Sequence, residues 1–326
     1  MSGERKFVVA PGPHVRGGAS TADIMWWVNG ALLPASAWGV FLFGERAAWV
    51  IIGAVAGALG GEWLAARAMR AHSSLRDGSA FCTGLLLALT LPPLVAPWQA
   101  ALGGAFAVVF GKMIFGGLGY NLFNPAMIGR AFMLATFPVV MTTGWAWPRL
   151  FYGEKLQAVT TATPLVVLRE QGPERAMQLL SGPGGPYVSL IMGLRPGSIG
   201  EVSVAMLGLG ALVLLIRDII KPTIPLSVFA GVALVTSFTG ASALHLLSGG
   251  LWLGAFFMAT DYVTSPKTRN GQIVFGLVVG VLTGLIRVYG GYPEGICYAI
   301  LIGNTLTPAL NNWFRPARTM PVGVPS

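Results

Sequence analysis

Gly116-Gly117-Leu118-Gly119-Tyr120-Asn121-Leu122-Phe123-Asn124-Pro125-Ala126-Met127-Ile128-Gly129-Arg130 interrupts an otherwise apolar chain. Asn favours the position that caps a helix and Pro the first helical position, so Asn124 caps a helix that Pro125 starts. The glycines upstream permit close approach of the backbone to a ligand or another helix. Asn121 and Asn124 present amide donors and acceptors three positions apart. The element therefore reads either as a capped re-entrant helix or as a pocket for a planar polar cofactor with hydrogen-bonding groups along its edge. Arg130 falls about one and a half turns past Pro125, inside an apolar span. An arginine there faces protein or a wet cavity, or snorkels to the inner interface.

Composition places this break in a membrane. Hydrophobic residues are 54% of 326, charged residues 10%, and 45 positions are glycine. A soluble domain carries about 25% charged residues, and membrane helices tolerate Gly and Pro because neighbours re-satisfy the freed backbone groups. A span needs roughly 20 mostly apolar residues. About ten segments qualify, near 24–43, 47–66, 80–97, 98–118, 124–143, 199–216, 223–241, 243–260, 271–288 and 294–314. The expected fold is an all-α polytopic membrane protein with Pro- and Gly-broken helices. It forms one membrane domain over 1–326, with a first repeat over 24–143, a loop at 144–198, a second repeat over 199–314 and tails at 1–23 and 315–326. The first 20 residues lack an apolar core, so the first span is expected to insert and stay.

Positive charge fixes the orientation. With both tails in the cytoplasm, inner segments carry Arg5, Lys6, Arg16, Arg67, Arg70, Arg76, Lys112, Arg217, Lys221, Lys267, Arg269, Arg315 and Arg318, and the short outer turns carry Arg46 and Arg287. The loop at 144–198 then faces outside; four or six preceding spans instead of five would turn it to the cytoplasm. The net charge of +9 is explained by inner loops beside anionic lipid and needs no nucleic acid.

Ser79–Leu85 recurs loosely as Ser227–Ala233, and each is followed by a polar break containing Pro: Asn121–Ala126 in the first half, Tyr262–Pro266 in the second. A third break, Asn304–Asn311, lies in the last span. Paired breaks point to a cavity site in repeat-built membrane proteins; chance similarity between apolar spans is the other reading. Cys82 and Cys297 read as small buried hydrophobes at opposite ends of their spans. Glu62 and Lys112 sit at inner span ends where they can snorkel. Asp23, Asp218 and Asp261 fall at inner interfaces, His14 and His72 in solvent and His245 at an interface. No metal-ligand set, nucleophile–base pair or P-loop is evident. Trp145 and Trp147 fit an interfacial aromatic belt, and a helix is expected over 165–180.

The outer loop contains Gln157-Ala158-Val159-Thr160-Thr161-Ala162-Thr163-Pro164-Leu165. Alone, this hydroxyl-rich stretch reads as a Ser/Thr turn. Together with Gly119–Ala126 and Asp261–Pro266 it makes the chain resemble the family of Rnf-complex D subunits and the related B subunits of Na⁺-translocating NADH:quinone reductases, over nearly the whole chain. That resemblance implies FMN esterified through its phosphate to Thr163, the last threonine of a motif comprising Thr160, Thr161, Ala162 and Thr163. It implies a second, non-covalent flavin, riboflavin, near Asn121 and Asn124; Arg130 joins the cofactor-binding candidates. It further implies a urea/ammonium-channel-like architecture of two inverted repeats and partner Rnf subunits A, B, C, E and G. The chain would lie in the bacterial cytoplasmic membrane and pass electrons from ferredoxin toward NAD⁺, coupled to Na⁺ or H⁺ movement. A solute channel or carrier without a redox cofactor and a structural anchor for partner subunits are the competing readings.

Overall fold

The computed structural model describes residues 20–70, 74–149, 162–182, 184–291 and 294–315; among them every regular element is helical. Helix α1 (Thr21–Phe43) opens with a capping box between Ser20 and Asp23, which satisfies two otherwise unpaired amides. It is followed by α2 (Glu45–Ala68) and the short α3 (Ser79–Thr90). Helix α4 (Pro97–Val108) continues through a π turn at Val109–Met113, and α5 (Pro125–Thr136) gives way at Pro138 to α6 (Pro138–Thr143). Three short helices follow: α7 (Pro164–Gln171), α8 (Pro173–Leu179) and α9 (Pro186–Met192). The second set comprises α10 (Val204–Ile216), α11 (Thr223–Thr236), α12 (Ser242–Leu247), α13 (Leu251–Leu253) with its π turn Gly254–Met258, α14 (Arg269–Tyr289) and α15 (Ile296–Trp313).

Among the described residues, two helices are long and apolar enough to cross a membrane, α2 and α14. Large apolar side chains such as Leu33, Trp49, Ile52, Ile216 and Leu234 stand exposed on helix flanks, as lipid-facing residues would.

Several expected spans break into pieces. The segment 80–97 contains only the 12-residue α3. At 1.5 Å per residue it runs about 18 Å, short of the ~30 Å hydrocarbon core. All of its residues except Phe81 are buried, as expected of a helix that is apolar all round. Its free carbonyls are met by a loop: Gly200 N donates to Leu89 O at 2.9 Å and Ile199 N to Leu91 O at 3.1 Å. The segment 243–260 likewise splits at Ser248-Gly249-Gly250, where Gly249 takes φ 67°. The helix expected over 165–180 is two helices, because Gly172 at φ 85° and Pro173 stop the first and start the second.

Each half holds one tight parallel pair. Gly53, Gly57 and Gly61 of α2 lie against Pro97, Ala101 and Ala105 of α4; a Cβ on Gly57 would stand 1.9 Å from the Ala101 carbonyl oxygen. Gly276, Gly280 and Gly284 of α14 lie against Ser227, Val228 and Val235 of α11 in the same way. Small residues four apart let backbones approach. The halves meet through antiparallel contacts. Ala31 of α1 lies against Gly210 of α10, with Arg217 stacked 4.0 Å over Trp27. Asn124 and Met127 of α5 meet Asn304 and Cys297 of α15. Both of these contacts run antiparallel. Helix α11 is half of a glycine pair, whereas α3 is a buried 12-residue helix.

Candidate functional site

The α5–α15 pair carries two polar centres. At the first, Asn124 caps α5: its Oδ1 accepts from Ala126 N at 3.0 Å and Met127 N at 3.3 Å. Its Nδ2 donates to Met258 O at 3.1 Å, and its own amide donates to Asn304 Oδ1 at 3.0 Å. Asn304 Nδ2 in turn donates to Thr264 O at 3.1 Å. These bonds fix part of the wall of a cavity. Asn121, Asn124, Asp261, Thr83, Cys82 and Phe257 line it. The Asn121 Oδ1 is buried and has no hydrogen-bond partner among the described residues. Asp261, expected at an interface, is instead part of the cavity wall, accepting from Thr264 Oγ1 at 3.1 Å.

Lys112 also reaches this cavity, and it does not snorkel. Its Nζ lies 3.0 Å from Glu62 Oε2, 2.8 Å from Ser74 Oγ and 2.5 Å from Ser79 Oγ. Both charges are buried, Glu62 fully and Lys112 to 1% exposure.

The second centre is built around Arg130, about 9 Å along α5 from Asn124. Arg130 is 3% exposed and does not snorkel either. Its Nη1 lies 2.6 Å from Glu201 Oε1 and its Nη2 2.8 Å from Glu294 Oε2. The remaining carboxylate oxygens are also engaged: Ser198 Oγ donates to Glu201 Oε2 at 2.6 Å and Gly250 N to Glu294 Oε1 at 2.7 Å. Two more buried arginines adjoin. Arg195 donates to the carbonyls of Val202 and Leu247, and Arg287 to those of His245 and Ser248. The Nε of all three arginines lacks a partner among the described residues. His245, expected at an interface, is buried here. Gly249 and Gly250 make room for the cluster, since a Cβ on Gly249 would stand 2.1 Å from Glu294 Oε1, 2.8 Å from Leu165 and 2.9 Å from Arg287 Nη2.

Thr163 opens onto this centre. Its Oγ1 accepts from Val166 N at 3.4 Å, capping α7, and Pro164 takes the first helical position. Thr163 lines a pocket with Trp145, Arg195, Ser198, Glu201 and Glu294. Trp145 is thus a buried pocket wall, donating to Thr142 O at 2.7 Å, and not a belt residue. Ala162 is exposed; Thr160 and Thr161 lie outside the described residues, as do His14 and His72. The described residues contain no group of three or more His, Cys, Asp or Glu fit to hold a metal ion. Cys82 and Cys297 are both buried free thiols.

A family model, NQR2, RnfD, RnfE, matches residues 8–320. The chain belongs to that family. It is 43% identical over 320 residues, 96% of each chain, to the D subunit of the proton-translocating ferredoxin:NAD(+) oxidoreductase complex of Clostridium ljungdahlii. It is 38% identical over 316 residues, 96% of this chain, to the D subunit of the Na(+)-translocating ferredoxin:NAD(+) oxidoreductase complex of Acetobacterium woodii, covering 95% of that relative. It is also 38% identical over 330 residues to the D subunit of the ion-translocating oxidoreductase complex of Stutzerimonas stutzeri, covering 91% of this chain and 92% of that one.

In this member of the NQR2, RnfD, RnfE family, the sequence candidates separate. Asn121 and Asn124 share the first cavity, Thr163 faces the second pocket, and Arg130 groups with the second centre and not with the asparagines. Glu201, Glu294 and Arg195 escaped the sequence reading, and Arg287, expected on a short outer turn, is instead buried within α14. Their signal was the presence of acids in apolar spans beginning at 199 and 294, which an intramembrane arginine needs as partners.

Proposed function

We propose that this chain is the flavin-carrying membrane subunit of an ion-translocating ferredoxin:NAD⁺ oxidoreductase complex, threading the bilayer with about ten broken spans and passing electrons across it in concert with the other subunits. The single observation that carries this reading is Thr163, a buried cap residue at the mouth of a pocket walled by a buried arginine. The residues fit a phosphorylated cofactor. A helix N-terminus and a nearby guanidinium both favour an anion. In its capping bond the Thr163 oxygen only accepts, so ester formation at Oγ1 leaves an acceptor in place. The Asn121 cavity would offer a second, uncharged flavin an unpaired amide oxygen for a ring N–H and Phe257 in its wall.

When bound, such flavins supply electron steps at tunable potential, and the protein supplies placement and electrostatics. Thr163 fixes one position, Asn121 and Asn124 the other, and the α5–α15 pair spans between them. Burial of both centres excludes water from the path. With five spans ahead of the loop, Thr163 lies on the extracytoplasmic side of the bacterial inner membrane and Asn121 toward the cytoplasm. The relatives support this reading over a solute channel without a redox cofactor.

In-gel flavin fluorescence of the denatured chain tests it. The wild-type band, from cells able to flavinylate proteins, fluoresces and the Thr163→Ala band is dark. A dark wild-type band, or a fluorescent Thr163→Ala band, overturns the assignment.

A further inference from the structure

The second centre holds more positive than negative charge. Arg130 takes both carboxylates, Glu201 and Glu294. Arg195 and Arg287 reach only backbone carbonyls and make no ion pair among the described residues. Among the described residues, three guanidiniums against two carboxylates leave one positive charge over, in a region where each arginine is at most 3% exposed. Arginine keeps its proton inside proteins, so the excess is not relieved by titration. An uncompensated buried charge is expensive.

Arg195 is the arginine that faces the pocket. It lines the same pocket as Thr163, and its Nε lacks a partner. The carboxylate oxygens lining that pocket are each already engaged by Arg130, Ser198 or Gly250. Arg195 is therefore the group left over for an outside anion.

We propose that Arg195 and its cluster form a receptor for one singly charged phosphate diester, that of the cofactor ester on Thr163. The inference rests on the flavin reading above and adds the counter-ion to it. A phosphate held at both ends by ester bonds carries one negative charge, which brings the five-residue cluster to neutrality. A free monoester, at about −1.5 to −2 near neutral pH, overshoots. The site is thus matched to the attached state of the cofactor, and Arg195 acts as a positioning and neutralising residue.

The test uses the full chain in detergent, with dimethyl phosphate as the probe and thermal unfolding as the readout. An anion that binds only the folded state raises its stability in a saturable manner. Dimethyl phosphate is expected to raise the Tm of the Thr163→Ala chain. The rise is lost in Thr163→Ala/Arg195→Gln and kept in Thr163→Ala/Arg195→Lys. The flavin-bearing wild type shows no rise, because its site is already filled. No rise in the Thr163→Ala chain, or a rise that survives Arg195→Gln, overturns the proposal. An equal rise in wild type and Thr163→Ala assigns the site to a loose anion such as a lipid phosphate and overturns the link to Thr163. A dark wild-type band on the gel sinks the flavin reading separately, whatever the probe does.

Discussion

Asn304 holds the backbone amide of Asn124: its Oδ1 accepts that N–H at 3.0 Å from 180 residues away in sequence. The bond fastens the start of α5, from the first half of the chain, to the middle of α15, from the second. Both residues are buried, so the amide has no water to replace a lost partner. Asn304→Ala is expected to cost about 1–3 kcal/mol, the penalty for stranding a buried donor. Asn124→Ala costs a similar amount through the lost cap and the lost bond to Met258. Asn124→Ala keeps the backbone N–H that Asn304 accepts, so the two singles break different bonds. Thermal unfolding in detergent checks both; an Asn304→Ala chain as stable as wild type would show that the halves are fastened elsewhere.

The Glu62–Lys112 pair obeys a different rule. Removing one charge leaves the other buried without a partner, which costs about 3–5 kcal/mol, whereas replacing both with apolar residues of similar size is often neutral. Glu62→Gln should therefore lower stability sharply, while Glu62→Met/Lys112→Met regains most of it. Because the pair is at most 1% exposed, added salt should leave the single variant's deficit unchanged. A mild Glu62→Gln phenotype that salt erases would place the pair at a wet surface.

What the sequence made legible was local. Asn124 as a cap, Pro125 as a helix start and the extent of α14 all follow from signals within a few residues of themselves, and the structure keeps them. Thr163 was legible as a candidate, and its cap role follows from the same Thr-Pro grammar. What stayed hidden was pairing. Arg130 finds its carboxylates 71 and 164 residues away, and Lys112 its own at 50. No periodicity encodes such separations. The half-length of α3 went unread although Pro92-Pro93 directly after Leu91 mark a helix stop; what no local signal encodes is the loop at 199–200 that donates to the carbonyls of Leu89 and Leu91.

Helix α2 permits a contrast between two glycines three positions apart. A Cβ on Gly57 would meet the Ala101 carbonyl at 1.9 Å, while one on Gly60 would meet nothing within 4 Å. Gly57→Ala must push α4 away and is expected to cost about 1–3 kcal/mol. Gly60→Ala is expected to be neutral or to gain about 0.5–1 kcal/mol from the better helix former. Unfolding midpoints of the two variants, compared side by side, decide this. Equal effects would mean that α2 and α4 do not meet along the Gly53–Gly57–Gly61 face.

Thr163 combines two roles that substitution can separate. As a cap its oxygen accepts from Val166 N, and as an attachment point its oxygen carries the ester. Thr163→Ser keeps an oxygen in the same place, so both roles are expected to survive: a fluorescent band and an unfolding midpoint close to wild type. Thr163→Val keeps the shape and loses the oxygen, so the band goes dark and α7 loses about 0.5–2 kcal/mol of capping. Thr163→Asp restores a cap acceptor without offering a hydroxyl. It should recover the capping loss and stay dark, and its carboxylate, placed in the Thr163 pocket, should partly neutralise the excess charge at Arg195. An Asp variant no more stable than the Val variant would show that neither the cap nor the neighbouring guanidinium acts on this position.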